Sequence, residues 1–127
     1  MYDIRFFDIG DMKEIKNLAD EVGIDEPLDT KCQFIIARHE GKLAGFVGFR
    51  LDTTPRFEHI VLARRFQKTR LGVLLMKAME EFLRKSNFKQ YASYILNSRL
   101  HMQGYAVKWG MKAYAVKDNG IWFYKNL

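Results

Sequence analysis

The sequence is poor in cysteine and contains no long apolar run. Its one cysteine, Cys32, cannot form an internal disulfide, so a disulfide-stabilised scaffold is excluded. No apolar stretch approaches the ~20 residues that span a bilayer. The first residues also lack the basic and apolar regions of a secretory leader. We therefore expect a cytoplasmic protein in a reducing compartment, with no membrane association.

Signs of disorder are missing too. Of the 127 residues, 48% are hydrophobic and 14% aromatic, which is too apolar for a disordered chain. A chain of this length buries one hydrophobic core but hardly two. No internal repeat, low-complexity segment or linker interrupts it. We predict a single domain over residues 1–127.

Acidic residues are outnumbered, but unevenly along the chain. The formal net charge is +6, a balance that raises nucleic-acid binding as a hypothesis. Residues 1–31 nevertheless hold nine acids and four bases, and the remainder holds six acids and seventeen bases. No nucleic-acid recognition motif accompanies the basic residues, so nucleic acid is a disfavoured partner. Two surfaces of opposite charge are expected instead.

Residue periodicity predicts the element order β-α-β-β-β-α-β-α-β-β, with a loop or short broken helix over 24–31. An Asp11–Glu14 capping box is expected to begin the first helix, and Asn97 or Ser98 to cap the third, which ends at Gly110. The predicted strands are 2–7, 32–38, 43–51, 56–63, 90–96, 112–117 and 121–126, and the predicted helices are 12–22, 71–83 and 97–110.

The connections between these elements indicate the fold class. Strand 56–63, helix 71–83 and strand 90–96 form a unit long enough for a right-handed parallel crossover. The turns at Glu40-Gly41 and Asn119-Gly120 are typical of antiparallel hairpins. The prediction is a mixed α/β fold whose mostly antiparallel central sheet contains one parallel strand–helix–strand unit.

The segment between strand 56–63 and the next helix is the best candidate for ligand chemistry. It reads Leu62-Ala-Arg-Arg-Phe-Gln67-Lys-Thr-Arg-Leu-Gly72-Val. The start of a helix offers unpaired backbone N–H groups to phosphate, and Gly72 permits close approach of a ligand. Either the turn binds a polyanion, or it is a solvated basic turn. The cations that favour phosphate are Arg64, Arg65, Lys68 and Arg70.

The run Gln67-Lys-Thr-Arg70-Leu-Gly72, placed after Glu58-His-Ile-Val-Leu62, resembles motif A of the GCN5-related N-acetyltransferases (GNAT), whose consensus is Gln/Arg-x-x-Gly-x-Gly/Ala. The order of elements resembles that family over nearly the whole chain. Further similar segments are the hairpin Glu40-Gly41-Lys-Leu-Ala-Gly45, the late Asn97 and the closing Trp109-Gly110-Met111.

This resemblance implies a GNAT fold and acetyl-CoA as acyl donor, held where the fourth and fifth strands splay apart. Backbone groups of Leu62 and Arg64 would pair with the pantetheine arm, with Asn97 on its other side. Arg65, Lys68 or Arg70 would meet the 3′-phosphate. The pyrophosphate would lie on the backbone amides of Gln67, Lys68, Thr69, Arg70, Leu71, Gly72 and Val73.

Two positions depart from the family pattern. Arg70 replaces the first motif glycine, which would cost about 1–2 kcal/mol if that position needs a positive φ. Ala106 falls where the family has a tyrosine acid, and the neighbouring Tyr105 is turned from it by about 100° on a helix. The alternative function is therefore a catalytically inactive GNAT-like protein that binds CoA or a protein partner as a regulator.

Candidate acid–base residues follow from the same segment. Glu58, on the face of Ile60 and Leu62, is the candidate base, and its alternative role is an ion pair with Arg56 or Arg50. Tyr105 is the candidate acid. His59 should face the other way, with Phe57 and Val61, as a core residue. Cys32 has no histidine partner for a nucleophilic role, and His39, His59 and His101 lack metal-ligand spacing, so no metal is expected.

The acidic N-terminal segment suggests the acceptor. In proteins of the resembled family, the loop after the first helix borders the acceptor site, and here it carries Asp25, Glu26 and Asp29. The expectation is a primary amine of cationic character, a small molecule or a protein amine, that attacks the thioester directly in a ternary complex. A homodimer is compatible with the sequence.

Overall fold

A computed structural model of the chain describes residues 1–24 and 26–127. It contains seven strands and three helices in the predicted order, with short 3₁₀ turns before α1 and α2. The strands are β1 Asp3–Phe6, β2 Gln33–His39, β3 Lys42–Arg50, β4 Arg56–Leu62, β5 Gln90–Leu96, β6 Lys112–Lys117 and β7 Gly120–Asn126, and the helices are α1 Met12–Val22, α2 Leu71–Lys85 and α3 Leu100–Lys108.

All seven strands form one sheet in the order β1-β2-β3-β4-β5-β7-β6. Every neighbouring pair is antiparallel except β4 and β5, which are parallel and joined through α2. The predicted fold class, a mostly antiparallel mixed sheet around a parallel strand–helix–strand unit, is confirmed.

The parallel pair is held together only near its start. Within the described chain, Arg56 and Ala92 are the one position in register between β4 and β5. The Ala92 N–H donates to Pro55 O at 2.9 Å, and the Ser93 hydroxyl donates to Phe57 O at 2.8 Å. Beyond these bonds the two strands separate toward their carboxyl ends, which opens a cleft in the sheet.

Helices cover the two faces of the sheet differently. On one face α1 packs through Ile15 and Leu18 against Phe34, Ile36 and Phe46. On the other face α2 and α3 pack over a larger core. That core includes Val47, Phe49, Phe57, Leu75, Met79, Tyr91, Ile95, Ala106 and Phe123.

A β-bulge in β4 changes which residues share a face. The register pairs Gly48 with His59 and Phe49 with Phe57, and so skips Glu58. Strict alternation, as predicted from the sequence, is therefore wrong here. Phe57 packs in the core beneath α2 and Val61 in the core beneath α1, so these two residues lie on opposite faces of the sheet. The bulge also interrupts the alternation that was expected to place Glu58 on the face of Ile60 and Leu62.

The ends of α1 show one prediction confirmed and one wrong. Gly23 ends the helix in the left-handed region, with φ 79°, as its position predicts. The expected Asp11–Glu14 capping box is not formed. The Asp11 carboxylate instead accepts the Asp8 N–H at 2.7 Å and pairs with Arg5 and Arg38, which pull it toward β1 and β2.

Two further boundaries differ from the prediction. α3 begins at Leu100 after Arg99, because the Asn97 side chain bonds Gln103 instead of capping the helix. The last hairpin turns at Asp118 and Asn119, one residue early, and Gly120 already pairs with Lys117. A Cβ on Gly120 would lie 2.5 Å from the Tyr94 ring, so packing against Tyr94 explains this glycine.

Candidate active site

The cleft contains a cavity of about 380 Å³ at the carboxyl end of β4, beyond the position where β4 pairs with β5. The ends of β4 and α1 and the first turns of α2 and α3 surround it. Its apolar walls are Val22, Ile24, Ile60, Leu62, Met102 and Tyr105, and its polar lining includes Gln67, Thr69 and His101. Ligand pockets of small proteins commonly have this size and this mainly apolar lining with a few polar groups.

The open edge of β4 presents backbone groups to the cleft. The Ala63 N–H donates to Ala44 O on β3 at 2.8 Å, so alternation along the strand turns the backbone of Leu62 toward the open edge. The Gln67 side-chain amide donates to Leu62 O at 3.2 Å. Leu62 therefore lies where a ligand could extend the strand, with Gln67 beside it.

The turn before α2 uses some of its N–H groups internally. Those of Gln67 and Thr69 donate to Arg64 O and Phe66 O, and that of Leu71 donates to the Thr69 hydroxyl at 3.2 Å. Three of the seven backbone amides predicted to bind the pyrophosphate therefore already have acceptors within the chain. Within the described chain, the N–H groups that lack an acceptor are those of Lys68, Arg70, Gly72 and Val73.

Arg70 is accommodated without backbone strain. Its φ is −77° and its ψ is 0°, outside the left-handed region. The cost that would follow from a positive φ at this position does not arise. Arg70 therefore keeps its N–H group and adds a cation at the start of α2.

Gly72 faces open space in the cleft. A Cβ built on it would lie 3.6 Å from Leu62 Cδ1, 3.7 Å from Ile60 Cδ1 and 3.9 Å from the Tyr105 hydroxyl, all ordinary contact distances. Packing within the chain does not demand glycine here. What the missing side chain provides is room for a ligand against the first turn of α2.

Tyr105 points into this space, whereas Ala106 is buried in the core with 1% of its surface exposed. The rotation of α3 thus places the neighbour of the family's tyrosine position in the cleft. The Tyr105 hydroxyl is buried and has no hydrogen-bond partner among residues 1–24 and 26–127. Burial, reinforced by the charge of Glu80, raises the Tyr105 pKa, so the phenol keeps its proton at neutral pH.

Glu58 lies on the bulge of β4, with 24% of its side chain exposed. Its carboxylate pairs with Arg56 at 3.0 Å, as one of its two predicted roles requires. Burial nevertheless raises the Glu58 pKa, although the charge and hydrogen bond of Arg56 act in the opposite direction. A carboxylate with a raised pKa accepts a proton more readily, so the pair with Arg56 and a role as a base are compatible.

His59 is a buried structural residue. Its Nε2 accepts the Asp29 N–H at 3.0 Å, so that nitrogen carries no proton. The other ring nitrogen, Nδ1, lies 3.3 Å from Glu26 Oε1. His59 thus fastens the loop after α1 to β4, which agrees with the predicted core role.

The acidic loop is largely paired with arginines. Glu26 also pairs with Arg99 at 3.1 Å, and Asp29 lies 3.6 Å from Arg50. Asp25, the third acid of the predicted acceptor border, lies outside the described residues. The charges of Glu26 and Asp29 therefore stabilise the fold around the cleft and are balanced locally.

Three further predicted residues, Arg64, Arg65 and Asn97, do not line this cavity. The Arg64 side chain reaches Glu21 O on α1 at 3.4 Å, and Arg65 stacks over Phe66 at 4.8 Å. Asn97 follows β5, where its Oδ1 accepts from the Gln103 side chain at 3.1 Å. The same Gln103 amide donates to Ile95 O at 3.1 Å, so two glutamines, Gln67 and Gln103, occupy the two separated strand ends.

Sequence reasoning missed a buried polar cluster next to Tyr105. Glu80, only 4% exposed, accepts from Tyr91 at 2.6 Å and from Trp109 and Lys125 at 2.8 Å each. Trp109 lies one helical turn after Tyr105, and the backbone N–H of Trp109 donates to Tyr105 O at 2.9 Å. The cluster fixes the rotation of α3, and no local motif in the sequence signals these long-range contacts.

No helix in the described part of the chain is long and apolar enough to cross a bilayer. Those residues also contain no group of three or more His, Cys, Asp or Glu side chains arranged to hold a metal ion.

Comparisons with known proteins agree with the geometry. The model of the acetyltransferase (GNAT) family matches residues 3–111. None of the curated proteins matches the sequence. Among solved structures, the ribosomal-protein-S18-alanine N-acetyltransferase from Escherichia coli is similar, with a TM-score of 0.85 and 13% identity over 99% of this chain and 94% of its own.

Two further similar structures contain coenzyme A. The PaiA N-acetyltransferase from Thermoplasma acidophilum has a TM-score of 0.84 and 16% identity, over 100% of this chain and 99% of its own. N-acetylglutamate synthase from Neisseria gonorrhoeae, complexed with coenzyme A and N-acetyl-glutamate, has a TM-score of 0.81 and 15% identity, over 100% of this chain and 35% of its own. At these identities the likeness establishes the fold.

Proposed function

The chain belongs to the acetyltransferase (GNAT) family, and from that premise we propose that it transfers an acetyl group from acetyl-CoA to a primary amine within a ternary complex. One observation carries the proposal: unpaired N–H groups at the start of α2 and the unpartnered hydroxyl of Tyr105 border the same open space beside Gly72.

The cleft residues fit the acyl donor. The N–H groups of Lys68, Arg70, Gly72 and Val73 and the dipole of α2 suit a pyrophosphate, and Gly72 leaves it room. The open edge at Leu62 suits the amides of a pantetheine arm, and Asn97 lies at the end of the opposite strand. Arg65, Lys68 and Arg70 supply cations for the 3′-phosphate. Bound acetyl-CoA supplies an acetyl group activated as a thioester.

Glu58 on β4 and Tyr105 in the cleft then transfer the protons of the reaction. A primary amine is mostly protonated at neutral pH, as a lysine side chain is, and must lose a proton before it can attack. Glu58, whose pKa is raised by burial, accepts that proton, directly or through water. As the C–N bond forms and the C–S bond breaks, Tyr105 donates its proton to the departing sulfur. The second proton of the attacking nitrogen returns through water to the Tyr105 phenolate, and Glu58 releases its proton to solvent. The products are an N-acetyl amine, the free thiol and one proton.

The departures at Arg70 and Ala106 that favoured a non-catalytic protein do not prevent catalysis in this structure. Arg70 has an ordinary φ of −77°, so its backbone does not obstruct the turn. Tyr105 reaches the cleft that Ala106 does not. An enzyme is therefore the better-supported function, and a CoA-binding regulator is the outcome to test against it.

The cationic character of the acceptor receives less support than the amine itself. That expectation relied on the acidic loop, whose Glu26 and Asp29 are paired with Arg99 and Arg50. A primary amine, on a small molecule or on a protein, thus remains the proposed acceptor. A surface other than the acidic loop must determine which charge on the acceptor is favoured.

The test combines binding with turnover. Calorimetric titration with acetyl-CoA should show one saturable site, and a panel of primary amines should include acceptors that release free thiol and form the N-acetyl product. Binding without turnover on any amine would favour the regulator. Absence of acetyl-CoA binding would refute the enzyme and a regulator that binds CoA. Gly104→Ala serves as the control variant for binding, because Gly104 is an exposed α3 glycine whose added Cβ meets nothing within 4 Å.

A further inference from the structure

A second cavity, of about 480 Å³, lies on the sheet face that α1 leaves uncovered. α1 packs on β3 and β4, whereas this cavity lies over β5, β7 and β6 near the closed end of the β4–β5 pair. Its walls include Tyr114, Trp122 and Tyr124, with Arg56, Thr54 and Gln90 at its rim. We call it the aromatic pocket.

The aromatic walls form a connected set. Tyr114 lies 6.5 Å from Trp122 and 5.7 Å from Tyr124, measured between ring centroids. Tyr94 contacts Trp122 from the other side, at 5.2 Å, and its hydroxyl bonds Lys117 O. Tyr114 is 56% exposed, so the set presents ring surface to a ligand instead of burying it. Surfaces of this kind bind flat aromatic groups by stacking and edge contacts.

The charges at the pocket favour a ligand with a negative group. The Arg56 guanidinium lies 5.9 Å from the Trp122 ring. On the hairpin that forms the other wall, Lys112 lies opposite Tyr124 and Lys117 lies opposite Gly120, whereas Lys125 pairs with Glu80 on the other face of the sheet. The hairpin carries one acid, Asp118. Arg56 pairs with Glu58 and lies 3.8 Å from Asp52, so Lys112 and Lys117 supply the further positive charge that attracts a carboxylate and repels a polycation.

Arg56 also connects the pocket to the candidate base. Its Nη2 lies 3.0 Å from Glu58 Oε1, and its Nε donates to the same oxygen at 3.1 Å. Arg56 pairs in register with Ala92, the last position before β4 and β5 separate, and Ala92 lines the pocket. A ligand in the pocket therefore lies beside the strands that border the cleft.

We infer that the aromatic pocket binds the acceptor, and that it selects an amine carrying an aromatic ring and a carboxylate. The ring packs among Tyr114, Trp122 and Tyr124, the carboxylate pairs with Arg56, and the amine lies on the side of Glu58. This inference rests on the proposed function, because it supplies the second substrate of the same reaction. It replaces the cationic acceptor suggested by the acidic loop.

Binding can be measured without turnover. L-Phenylalanine carries both features, 2-phenylethylamine lacks the carboxylate, cyclohexylalanine lacks the aromatic ring, and spermidine is a polycation. Titration of the protein with L-phenylalanine should change tryptophan fluorescence in a saturable way. The change should vanish in Trp122→Phe, which leaves the partly buried Trp109 as the remaining tryptophan.

A matched pair of variants on β6 tests the walls. Tyr114→Leu removes an exposed ring and should weaken L-phenylalanine binding about tenfold. Val116→Ala, on the same strand, 78% exposed and outside the pocket, should leave binding unchanged. Affinity should fall from L-phenylalanine to the two single-feature probes and then to spermidine.

The outcomes separate this inference from the proposed function. If acetyl-CoA binds but L-phenylalanine does not, or if spermidine binds and reacts best, the pocket assignment is wrong while the acetyltransferase proposal stands. If L-phenylalanine binds but acetyl-CoA does not, the proposed function and the acceptor role both fail. Concentration-dependent self-association that Tyr114→Leu abolishes, without an L-phenylalanine response, would assign the face to a second copy of the chain and overturn the inference.

Discussion

The hydroxyl of Tyr105 lies 3.9 Å from the position that a Cβ on Gly72 would occupy. Gly72 belongs to the first turn of α2 and Tyr105 to α3, so the two helices meet across the cleft at this point. A phosphate-binding helix start and a proton donor are thereby brought to one space. The distance between Gly72 and the Tyr105 hydroxyl leaves space for a ligand group between the two helices.

Gly72→Ala should separate folding from ligand binding. The added methyl meets Leu62 and Ile60 at ordinary contact distances, and alanine favours a helix over glycine by about 0.5–1 kcal/mol, so the free energy of unfolding should stay level or rise. The methyl would occupy the space of the phosphate, and we expect acetyl-CoA affinity to fall at least about tenfold, or about 1.4 kcal/mol. Calorimetric titration measures this. Equal loss of affinity in Gly104→Ala would show that the effect is not local to the cleft.

Tyr105→Phe should lower turnover without weakening the fold. The hydroxyl has no partner among the described residues, so its removal costs no protein hydrogen bond and should not reduce stability. Loss of a general acid lowers kcat by about 10²-fold or more. Steady-state kinetics should show this with unchanged acetyl-CoA binding. Tyr94→Phe, which loses a hydrogen bond to Lys117 O away from the cleft, should keep its kcat; a kcat equal to wild type in Tyr105→Phe would remove Tyr105 from the mechanism.

The pH dependence of kcat/KM should report Glu58. Because burial raises its pKa, the fraction of Glu58 able to accept a proton increases over a pH range above that of an ordinary glutamate. The acidic limb of the profile should therefore rise with pH through that raised pKa, and Glu58→Gln should abolish the limb and lower kcat/KM. An unchanged limb in Glu58→Gln would leave this residue as the structural partner of Arg56.

Glu80 should support the fold in a pH-dependent way. Burial opposes its ionisation, but hydrogen bonds from Lys125, Tyr91 and Trp109 together hold the Glu80 pKa below its ordinary value. A group with a lowered folded-state pKa stabilises above the unfolded-state pKa, and that stability is lost as pH falls through the folded-state pKa. Glu80→Gln should therefore lower the free energy of unfolding by about 3 kcal/mol near neutral pH and by less in acid.

The neighbouring Glu81 supplies the matched control for Glu80. It is exposed and pairs only with Lys85 among the described residues, at 2.9 Å, so Glu81→Gln should leave the free energy of unfolding nearly unchanged. Urea unfolding at two pH values measures both variants. Similar losses for the two, or a Glu80→Gln loss that does not shrink in acid, would contradict the role given to the buried cluster.

Regular periodicity made much of the fold predictable. The apolar stripe of α2 and the β-formers of β5 gave the start at Leu71 and the bounds 90–96 that the structure shows. These signals are local, since each depends on the spacing of side chains within one element. The basic turn before α2 was also a local signal, but the sequence does not reveal that the amides of Gln67, Thr69 and Leu71 already have acceptors within the chain.

The rest of the site depends on contacts between distant residues. The bulge that displaces Glu58 arises from pairing with Gly48 and Phe49, and alternation along β4 cannot reveal it. The choice between Tyr105 and Ala106 depends on the rotation of α3, which Trp109 fixes through Glu80 on α2. The pairing of Glu26 with Arg99 joins residues far apart in the sequence.

The central claim is that the start of α2 binds acetyl-CoA, and the backbone amides there report on it directly. Titration of ¹⁵N-labelled protein with CoA, followed by amide chemical shifts, measures each N–H group separately. The largest saturable shifts should fall on Lys68, Arg70, Gly72 and Val73, whose N–H groups have no acceptor within the described chain. Unchanged shifts at these four amides, with or without shifts elsewhere, would contradict the account.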